Sequence, residues 1–476
     1  MTPPANFDTE VCVIGGGPAG AALACRLATL GHSVVVVERD RFPRPHVGES
    51  VSPGAWPLLE MLGARAAVEA AGFPRAVEAR VRWENPGTRR LRTVEPGISV
   101  DRGSFDQILL ERAKVAGALV FQPAKARPPF AVPGGWEVPV VTPDGPHTVR
   151  ARFVADASGR AHVLGGRRRR TSPRTVALHA LWSGVESRAG QTCVEAQPEC
   201  WLWGAHLPGA VFRAMAFVEP EMVRRRPRVG EGIERLYREL LAGSSLFSHL
   251  VAGDARLESD VLVCDATCYV DDSPIDKTTV KVGEAGFTID PLSSSGVQTA
   301  IQTGVAASVA IASILSQDGD LDAAMTYFRE HQRHAVERHE WLTARSYRAC
   351  SAYAARPFWR RRSAWAPEPP LADPPVSLEE LLGQPVNLSH RSALLPTPCV
   401  VGDRVEFRRA LCHPALSRPV AYLGDNELAP LLDRLCADRT LREVVEQWAG
   451  SIPSSAAYAI ARWLADNGLL APVAPK

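Results

Sequence analysis

Lysine is almost absent from this chain of 476 residues. The 54 basic residues include only five lysines, so arginine carries nearly all of the positive charge; the lysines are Lys114, Lys125, Lys277, Lys281 and Lys476. Acidic residues number 52, which leaves a formal net charge of +2. We therefore expect no nucleic-acid partner, because proteins that bind nucleic acid through their bulk charge carry a large positive excess.

Paired cysteine motifs and long apolar runs are also missing. The ten cysteines form no CxxC motif, and three residues separate Cys264 from Cys268. The sequence thus predicts buried thiols in a reducing compartment and no metal site. Residues 1–8 have no basic stretch before an apolar one, and no later segment consists of 18 uncharged apolar residues. We expect a soluble, cytoplasmic protein without a membrane partner, built from two or three domains.

A glycine-rich turn stands between two apolar runs near the start of the sequence. The run 10–14 leads into Gly-Gly-Gly-Pro-Ala-Gly at 15–20, and this turn opens the helical stretch 21–30. A second apolar run, 33–37, follows. This order of strand, glycine turn, helix and strand predicts a Rossmann-type site for a dinucleotide.

Each glycine of the motif has a physical role. Gly15 permits the tight turn, Gly17 lets the backbone approach a pyrophosphate, and Gly20 lets helix and strand pack closely. Glu38, at the end of the second strand, is the acidic residue expected to bind a ribose hydroxyl. The predicted cofactor contacts of this unit are Gly15, Gly17, Ala19, Gly20, Glu38 and Arg39.

Further motifs follow in a fixed order. They are 42–50 (FPRPHVGES), 101–106 (DRGSFD), 153–160 (FVADASGR) and 282–297 (VGEAGFTIDPLSSSGV). With the glycine turn they resemble the family of FAD-dependent monooxygenases and flavin-dependent halogenases, over residues 10–345. The resemblance implies FAD as the cofactor and an α/β fold, in which a Rossmann-like FAD-binding fold of the group A type carries an antiparallel substrate sheet.

The resemblance also implies FAD contacts beyond the glycine turn. They are Glu49, Ser50, Arg102, Gly283, Glu284, Pro291, Ser294, Ser295, Gly296 and Val297. Glu284 stands where the family usually has Asp, and its longer carboxylate could still accept a hydrogen bond from a ribityl hydroxyl. The loop 291–296 is rich in Ser and Gly and precedes a helix, whose free N–H groups would suit an anionic reduced flavin.

Two features weigh against halogenation. The halogenating relatives need a lysine, in many of them just after a Gly-Phe pair, but the matching stretch 72–76 reads Gly-Phe-Pro-Arg-Ala. The first lysine is Lys114, and arginine is a poor substitute because it stays protonated. The Trp-x-Trp-x-Ile-Pro signature of halogenases fits residues 201–208 only if Ala205 replaces the second tryptophan. Oxygen insertion is therefore the favoured reaction.

The candidate catalytic residues are His46, Glu49 and His206. Together with His179 they are the polar residues expected near the substrate sheet. An isolated histidine more often satisfies a structural hydrogen bond than it transfers a proton. His46 and Glu49 are the preferred pair, because their segment follows directly on the flavin-binding unit.

The sequence predicts a monooxygenase body over residues 1–355. A substrate-binding sheet is inserted in it at about 70–100 and 170–270. The apolar runs 136–141, 175–182 and 211–218 are predicted strands of this mainly antiparallel sheet.

The C-terminal part has a different composition. Residues 356–375 are rich in proline and arginine, which predicts a linker. Residues 376–476 combine short strands with three helices and resemble a winged-helix-like domain of the kind that binds peptides in peptide-modifying pathways. DNA binding is disfavoured, because the third predicted helix, 454–467, has only Arg462 as a basic residue.

The combination of domains resembles the flavoprotein monooxygenases of tryptophylquinone cofactor biogenesis. It implies hydroxylation of a tryptophan in a peptide or protein precursor, with molecular oxygen as co-substrate and NAD(P)H or a separate flavin reductase as the electron source. A halogenase or hydroxylase of a small aromatic and a non-catalytic flavin-bound peptide adaptor are the alternatives. The arginine runs 167–170, 224–226 and 360–362 could guide an acidic protein partner or form solvated faces.

Overall fold

The computed structural model describes residues 6–84, 87–185, 190–224, 231–366, 376–416, 418–436 and 438–473. The chain divides into two compact units. The first contains residues 1–312 and 335–367, and the second contains residues 313–334 and 368–476.

The described residues form 25 strands and 14 α-helices. The strands are β1 (Asn6–Ile14), β2 (Val34–Val37), β3 (Ser50–Val51), β4 (Arg75–Arg82), β5 (Arg89–Ser99), β6 (Leu119–Phe121), β7 (Lys125–Ala126), β8 (Phe130–Val132), β9 (Gly135–Thr142), β10 (Gly145–Asp156), β11 (Arg168–Arg170), β12 (Val176–Ser183), β13 (Gln191–Gln197), β14 (Cys200–Leu207), β15 (Val211–Val218), β16 (Arg256–Leu257), β17 (Leu262–Asp265), β18 (Tyr269–Asp271), β19 (Thr279–Lys281), β20 (Val386–Leu388), β21 (Ala393–Val401), β22 (Arg404–Cys412), β23 (Tyr422–Leu423), β24 (Asn426–Glu427) and β25 (Leu470–Pro472). The α-helices are α1 (Pro18–Thr29), α2 (Trp56–Met61), α3 (Arg65–Ala70), α4 (Arg102–Val115), α5 (Pro220–Arg224), α6 (Glu231–Ala242), α7 (His249–Ala252), α8 (Gly296–Leu315), α9 (Leu321–Arg348), α10 (Pro357–Ser363), α11 (Leu378–Leu382), α12 (Ala429–Leu432), α13 (Leu441–Ala449) and α14 (Ser454–Asp466).

An eight-stranded sheet carries the glycine turn. Its order is β6-β2-β1-β10-β9-β7, with β19 on β10 and β8 on β9. The pairs β1–β2, β1–β10, β2–β6 and β10–β19 are parallel. Every residue of Val34–Val37 is buried, as in a strand covered on both faces. The predicted Rossmann-like fold is confirmed, because α1 connects β1 to the parallel strand β2.

One strand lies in a different sheet from the one predicted for it. The run 136–141 was expected in the substrate sheet, but β9 pairs antiparallel with β10 in the eight-stranded sheet. A long hairpin between β9 and β10 accounts for this, because adjacent antiparallel strands pair locally. The expected antiparallel pairing of β9 is found, and the sheet predicted for it is wrong.

A second, nine-stranded sheet takes its strands from residues 50–99 and 176–265. Its order is β16-β12-β15-β14-β13-β4-β5-β3, with β17 on β12. All its pairs are antiparallel except β13–β4. The face that carries Leu202, Ala214 and Trp182 packs on α6 and α7 through Tyr237 and Leu250. The other face carries a group of large aromatic side chains.

Helix α8 is uncharged over its whole length. By length and composition it could cross a membrane, but 67% of the apolar window is buried inside the fold. It crosses α1 closely at Gly304, where a Cβ atom would lie 2.3 Å from the Ala19 carbonyl oxygen. A core helix of a folded protein meets the same criterion.

The predicted linker 356–375 is wrong over its first part, because residues 357–363 form α10. Trp359 is fully buried and donates from Nε1 to the Gln197 carbonyl oxygen at 2.8 Å. Arg362 is 1% exposed and donates to the Thr175 hydroxyl at 2.7 Å. Pro357 begins α10 and three arginines belong to this helix. A high content of proline and arginine therefore does not indicate a linker here. Residues 367–375 lie outside the described residues.

The second unit has its own apolar core. Its helices α11, α13 and α14 bury Leu381, Trp448 and Leu464. Strands β21 and β22 form an antiparallel hairpin, and β20 pairs with β25. Helix α13 begins with a reciprocal cap, in which Thr440 and Glu443 bond each other's backbone N–H. The winged-helix assignment of this unit stays a prediction.

Candidate active site

The glycine turn has two positions that close packing requires. Gly15 has φ +109°, and a Cβ there would lie 2.4 Å from the Ala157 carbonyl oxygen. A Cβ at Gly20 would lie 1.9 Å from the carbonyl oxygen of Gly15. Neither position tolerates a side chain, because backbone atoms on both sides would have to move. Ala19 is buried beside them.

Gly17 is different. A Cβ there would meet only the guanidinium of Arg44, at 3.8 Å, and its φ of −67° suits any residue. No protein contact therefore accounts for glycine at this position. Close approach of a pyrophosphate to the start of α1 does account for it, because a side chain would fill the space that the phosphates need.

Glu38 ends β2 beside this turn. Its buried carboxylate accepts hydrogen bonds from the backbone N–H of Gly16 at 2.6 Å and of Asp40 at 2.8 Å. Each oxygen keeps a further lone pair, which could accept from a ribose hydroxyl. The side chain of Arg39 is 66% exposed and pairs with Asp40 at 3.2 Å.

A second turn lies at the ends of β10 and β19. Gly283 has φ +58°, donates from its N–H to the Thr303 hydroxyl at 2.9 Å, and packs so closely that a Cβ would lie 2.9 Å from that of Ala19. The side chain of Glu284 is half exposed and lies 3.5 Å from Arg160 Nε. This turn therefore meets the glycine turn directly, through Gly283 and Ala19.

The loop before α8 is held by a buried carboxylate. Asp290 accepts from the Leu292 N–H at 2.9 Å and from the Tyr347 hydroxyl at 3.2 Å, and burial raises the pKa of its carboxyl group. Ser294 adopts a left-handed conformation with φ +48°. Gly296 begins α8, and a Cβ atom at this position would have no protein atom within 4 Å.

The other predicted residues of this loop have ordinary contacts. The Ser295 hydroxyl donates to that of Ser293 at 2.9 Å, Val297 is buried, and Pro291 begins a 3-10 turn. The first N–H groups of α8 have no intrahelical acceptor. The loop can therefore offer backbone donors to an anionic ring, as the sequence analysis predicted.

Arg102 holds the segment 42–50 against the start of α4. It pairs with Asp106 through Nε at 2.9 Å and Nη2 at 3.0 Å, and its Nη1 donates to the Val47 carbonyl oxygen at 2.8 Å. Ser50 continues the chain into β3, opposite Ser99. These contacts make Arg102 a positioning residue for the backbone of the segment.

Glu49 is buried and joined to the substrate sheet. Its Oε1 accepts from Nε and Nη2 of Arg213, each at 2.8 Å. Nη1 of Arg213 lies 3.0 Å from His179 Nδ1. Since arginine only donates, Nδ1 of His179 accepts and its proton is on Nε2. Burial and Arg213 lower the pKa of His179 to about 4.

His46 lies in the same segment, with Nδ1 2.7 Å from the Val47 carbonyl oxygen. Its ring is accessible to solvent yet has protein atoms on several sides. This desolvation and the Arg102 guanidinium lower the pKa of His46. His46 thus bonds within its own segment, while the Glu49 carboxylate is bound to Arg213, and their joint catalytic role stays a prediction.

His206 does not join them. On β14 the side chains of Trp201, Trp203 and Ala205 lie in the aromatic face of the substrate sheet. His206, one residue on, stands opposite Phe212 on the face that packs on α6 and α7. Its selection as a catalytic residue is therefore a mistake that the alternation of side chains along a strand explains.

An aromatic cluster covers the side of the sheet that faces the two flavin segments. It consists of Trp83, Trp201, Trp203, Phe217, Tyr347 and Trp359. Val47 and Leu292 pack against it. The Trp201 Nε1 donates to the Tyr347 hydroxyl at 3.1 Å, which links the cluster to the loop before α8.

Sequence reasoning missed three members of this site: Arg213, Asp290 and Tyr347. Arg213 and Tyr347 lie far along the chain from their partners, so no local pattern points to them. Asp290 belongs to a motif of the sequence analysis but had no role assigned to it. An acidic residue directly before Pro-Leu-Ser is nevertheless typical of the residue that caps the start of a helical turn. Among the described residues, no group of three or more His, Cys, Asp or Glu is placed to hold a metal ion.

The residues fit FAD. Gly17 leaves room for a pyrophosphate, Glu38 stands at the ribose position, and the loop before α8 offers N–H groups at the other end. The segment 42–54 reaches that loop, where the Ser52 hydroxyl donates to Gln298 Oε1 at 2.6 Å.

Residues 8–341 match the family described as FAD binding domain. The chain belongs to the family of FAD-dependent monooxygenases and halogenases. Tryptophan 2-halogenase of Chondromyces crocatus is 31% identical over 374 residues, covering 74% of this chain and 70% of that protein. The 1H-pyrrole-2-carbonyl-(peptidyl-carrier protein) chlorinase of Pseudomonas fluorescens is 26% identical over 383 residues, covering 71% and 83%.

Solved structures share the fold of this flavoprotein. QhpG, a peptidyl tryptophan dihydroxylase essential for tryptophylquinone cofactor biogenesis, superimposes with a TM-score of 0.77 at 23% identity, covering 97% of this chain and 100% of that chain. CmlS, a flavin-dependent halogenase, gives 0.76 at 21% identity, covering 99% and 96%. One is a dihydroxylase and the other a halogenase, so the fold alone does not choose between the two reactions.

Proposed function

We propose that this flavoprotein is a monooxygenase that hydroxylates a tryptophan in a peptide or protein precursor during tryptophylquinone biogenesis. Bound FAD would supply the activation of molecular oxygen, with NAD(P)H or a separate flavin reductase as the source of electrons. The positions of the lysines are the observation that favours hydroxylation over halogenation.

No described lysine offers a free amine to the aromatic face of the substrate sheet. Lys281 is buried, but its Nζ donates to the buried carboxylate of Asp271 at 2.9 Å. Lys114 pairs with Glu111 at 2.6 Å on the outside of α4. Lys125 and Lys277 are exposed. A halogenating relative needs such an amine, so the residues present support oxygen transfer to a ring.

The aromatic cluster supports an aromatic substrate. Its side chains are almost fully buried, and it lies against both flavin segments through Val47 and Leu292. Such a wall excludes water, and an indole ring could pack edge-on against its least buried tryptophans, Trp83 at 9% and Trp203 at 8% exposed. Orientation of an electron-rich ring is the main contribution that this site can make, because Glu49 is bound to Arg213 and His179 is neutral.

The second unit is proposed to anchor the substrate peptide. Its strands β21 and β22 form an isolated hairpin, and its exposed apolar side chains include Leu395 and Phe407. A sheet edge with apolar neighbours is the surface to which an extended peptide adds as a strand.

Halogenation remains the rival reaction, because the tryptophan 2-halogenase is 31% identical to this chain. The deciding experiment incubates the reduced holoenzyme with oxygen and tryptophan-containing precursor peptides, in bromide buffer and in halide-free buffer. We expect mass spectrometry to find added oxygen at the same rate in both. A brominated product formed at the rate at which oxygen is otherwise added would overturn the proposal.

A further inference from the structure

Arginines from two regions that are distant in sequence line one open cavity of the first unit. The cavity has a volume of about 630 Å³. Its basic residues are Arg168, Arg170, Arg174 and Arg224. Only Arg224 of its own run lies within the described residues. This volume lies in the range of pockets that bind drug-sized ligands, and it is larger than a single ion needs.

The arginine run 167–170, which includes β11, divides its side chains between two sides. Arg167 and Arg169 pair with Asp272, at 3.6 and 3.7 Å. Arg168 and Arg170 line the cavity instead. Alternation along a strand explains the division, because residues two apart share a face. One half of the run thus has an acidic partner within the fold, and the other half faces the cavity.

The charge in the cavity is poorly balanced. The side chains of Arg170 and Arg174 make no hydrogen bond or ion pair with any part of the chain that the structure describes. Within the described ranges, Arg224 has only Glu221 as an ion-pair partner, at 3.9 Å. Asp265 is the one acidic residue among the described lining residues, and it already pairs with Arg160 at 3.4 Å. The cavity therefore presents a net positive charge to a ligand.

The rest of the lining is aliphatic. Val176, Pro220, Val223, Ile233 and Val263 form it together with the arginines. No glycine is among the described lining residues, although close approach of a pyrophosphate to the backbone normally needs one. Aliphatic walls with arginines around them fit a peptide whose acidic side chains alternate with apolar ones.

The cavity adjoins the flavin site. Tyr269 lines it and donates from its hydroxyl to the carbonyl oxygen of Glu284 at 2.8 Å. Arg168 donates to the same oxygen at 3.2 Å and lies over the Tyr269 ring, 4.2 Å from its centre. The wall of the cavity is thus bonded to the turn that is expected to contact the ribityl chain.

We propose that this arginine cavity binds an acidic, partly apolar segment of the peptide or protein substrate. The proposal deepens the proposed function and rests on it for the identity of the occupant. Docking there would hold the substrate beside the flavin site and raise the local concentration of its target ring.

The test measures binding without turnover. Fluorescence anisotropy of a labelled peptide of alternating Glu and Val, added to the FAD-loaded full chain, is compared with its Gln-for-Glu analogue at low and high salt. We expect the acidic peptide to bind more tightly and to lose affinity with salt. The double variant Arg170→Gln with Arg174→Gln should weaken it by about tenfold or more, as for lost contacts to charged groups.

Arg169→Gln is the matched control, because Arg169 belongs to the same strand but pairs with Asp272. It should leave the affinity within about twofold, since exposed pairs contribute little. The flavin absorbance of each variant checks that the fold is kept. Equal binding by the double variant, or equal binding of the Gln peptide, would overturn the inference.

NADPH is a second probe, because its phosphates could also meet arginine. Displacement of the acidic peptide by NADPH, but not by an uncharged peptide, would assign the cavity to the reductant and overturn peptide docking. Because no reaction is followed, this test is separate from the proposed function. Bromination of a substrate would end the monooxygenase proposal and leave the binding result standing.

Discussion

The guanidinium of Arg213 donates twice to the Glu49 carboxylate across 164 residues of sequence, with Nε and Nη2 both 2.8 Å from Oε1. Glu49 is 2% exposed. The pair joins the segment after the first flavin-binding unit to the middle of the substrate sheet, so it fixes the position of that segment.

Removing one partner of this pair should be costly. In Arg213→Gln the Glu49 carboxylate stays buried without its charged partner, and of its present donors in the described part of the chain only the Gly48 N–H, at 2.9 Å, is left. We expect the free energy of unfolding to fall by about 3–5 kcal/mol, the usual cost of an uncompensated buried charge. Urea unfolding followed by circular dichroism measures it, and loss of flavin absorbance reports displacement of the segment.

The matched control is Arg235→Gln, because Arg235 is 70% exposed and pairs with Glu239 one turn away on α6, at 3.9 Å. That change should cost about 0.5 kcal/mol or less. The double variant Glu49→Gln with Arg213→Gln should recover part of the loss, since no charge is then buried alone. Similar costs for Arg213→Gln and Arg235→Gln would show that the pair does not hold the segment.

Gly17 should serve the cofactor and little else. We expect Gly17→Val to purify with a normal circular dichroism spectrum but without bound FAD, because a Cβ atom at this position would meet no protein atom closer than 3.8 Å. Gly20→Ala is the contrasting variant, since its Cβ would lie 1.9 Å from the Gly15 oxygen and should disturb the fold as well. Parental FAD content in Gly17→Val would mean that the turn does not bind the pyrophosphate.

The neutral state of His179 should make stability depend on pH. Its pKa is about 4 in the folded protein against an ordinary value of 6.5. Between these values the unfolded chain binds more protons than the folded one, so the free energy of unfolding falls as the pH is lowered through this window. Below about pH 4 both states are protonated and this loss is complete. The full loss is at most ~3 kcal/mol.

The test compares the melting temperature of wild type and His179→Asn from pH 7 to pH 4. Asparagine can accept from Arg213 but does not titrate, so the variant should lose less stability across this range. His390→Asn changes an exposed histidine and should follow the wild type. Parallel curves for wild type and His179→Asn would show that folding does not disfavour the protonation of His179.

The sequence predicts those parts of the site that are local in the chain. Gly15, Gly17, Gly20 and Glu38 lie within one strand–helix–strand unit, and their spacing alone carries their roles. The partner of Glu49 could not be found in this way. Arg213 meets it only because β15 lies in the middle of the nine-stranded sheet, and strand order is a property of the whole fold.

Two wrong expectations have different causes. His206 was chosen for its chemistry, although Trp201, Trp203 and Ala205 already indicated that the neighbouring face would be the aromatic one. The first part of the segment 356–375 was judged from composition. Trp359 and Arg362 lie three apart and pack on one side of α10, a helical pattern that the prolines and arginines obscured.

The last prediction concerns removal of the C-terminal residues. Trp359 and Arg362 are buried in the first unit, so a chain that ends near Arg356 would lose part of its core. A chain that ends at Ala366 keeps both. Residues 313–334 belong to the second unit. The Ser313 hydroxyl accepts a hydrogen bond from the Val405 N–H at 2.8 Å. Some loss of stability is therefore expected, together with retained FAD.

If the second unit anchors the substrate, the chain that ends at Ala366 should lose most of its turnover of a peptide substrate, because the local concentration of the target ring falls. Turnover of a free aromatic should change much less. A scaffold role predicts a different pattern, in which the shortened chain is unstable and free of flavin. Melting temperature, flavin content and turnover of both substrates, measured on one preparation, separate the two. A stable, flavin-bound product with undiminished peptide turnover would defeat the anchoring role, since docking would then depend on the first unit alone.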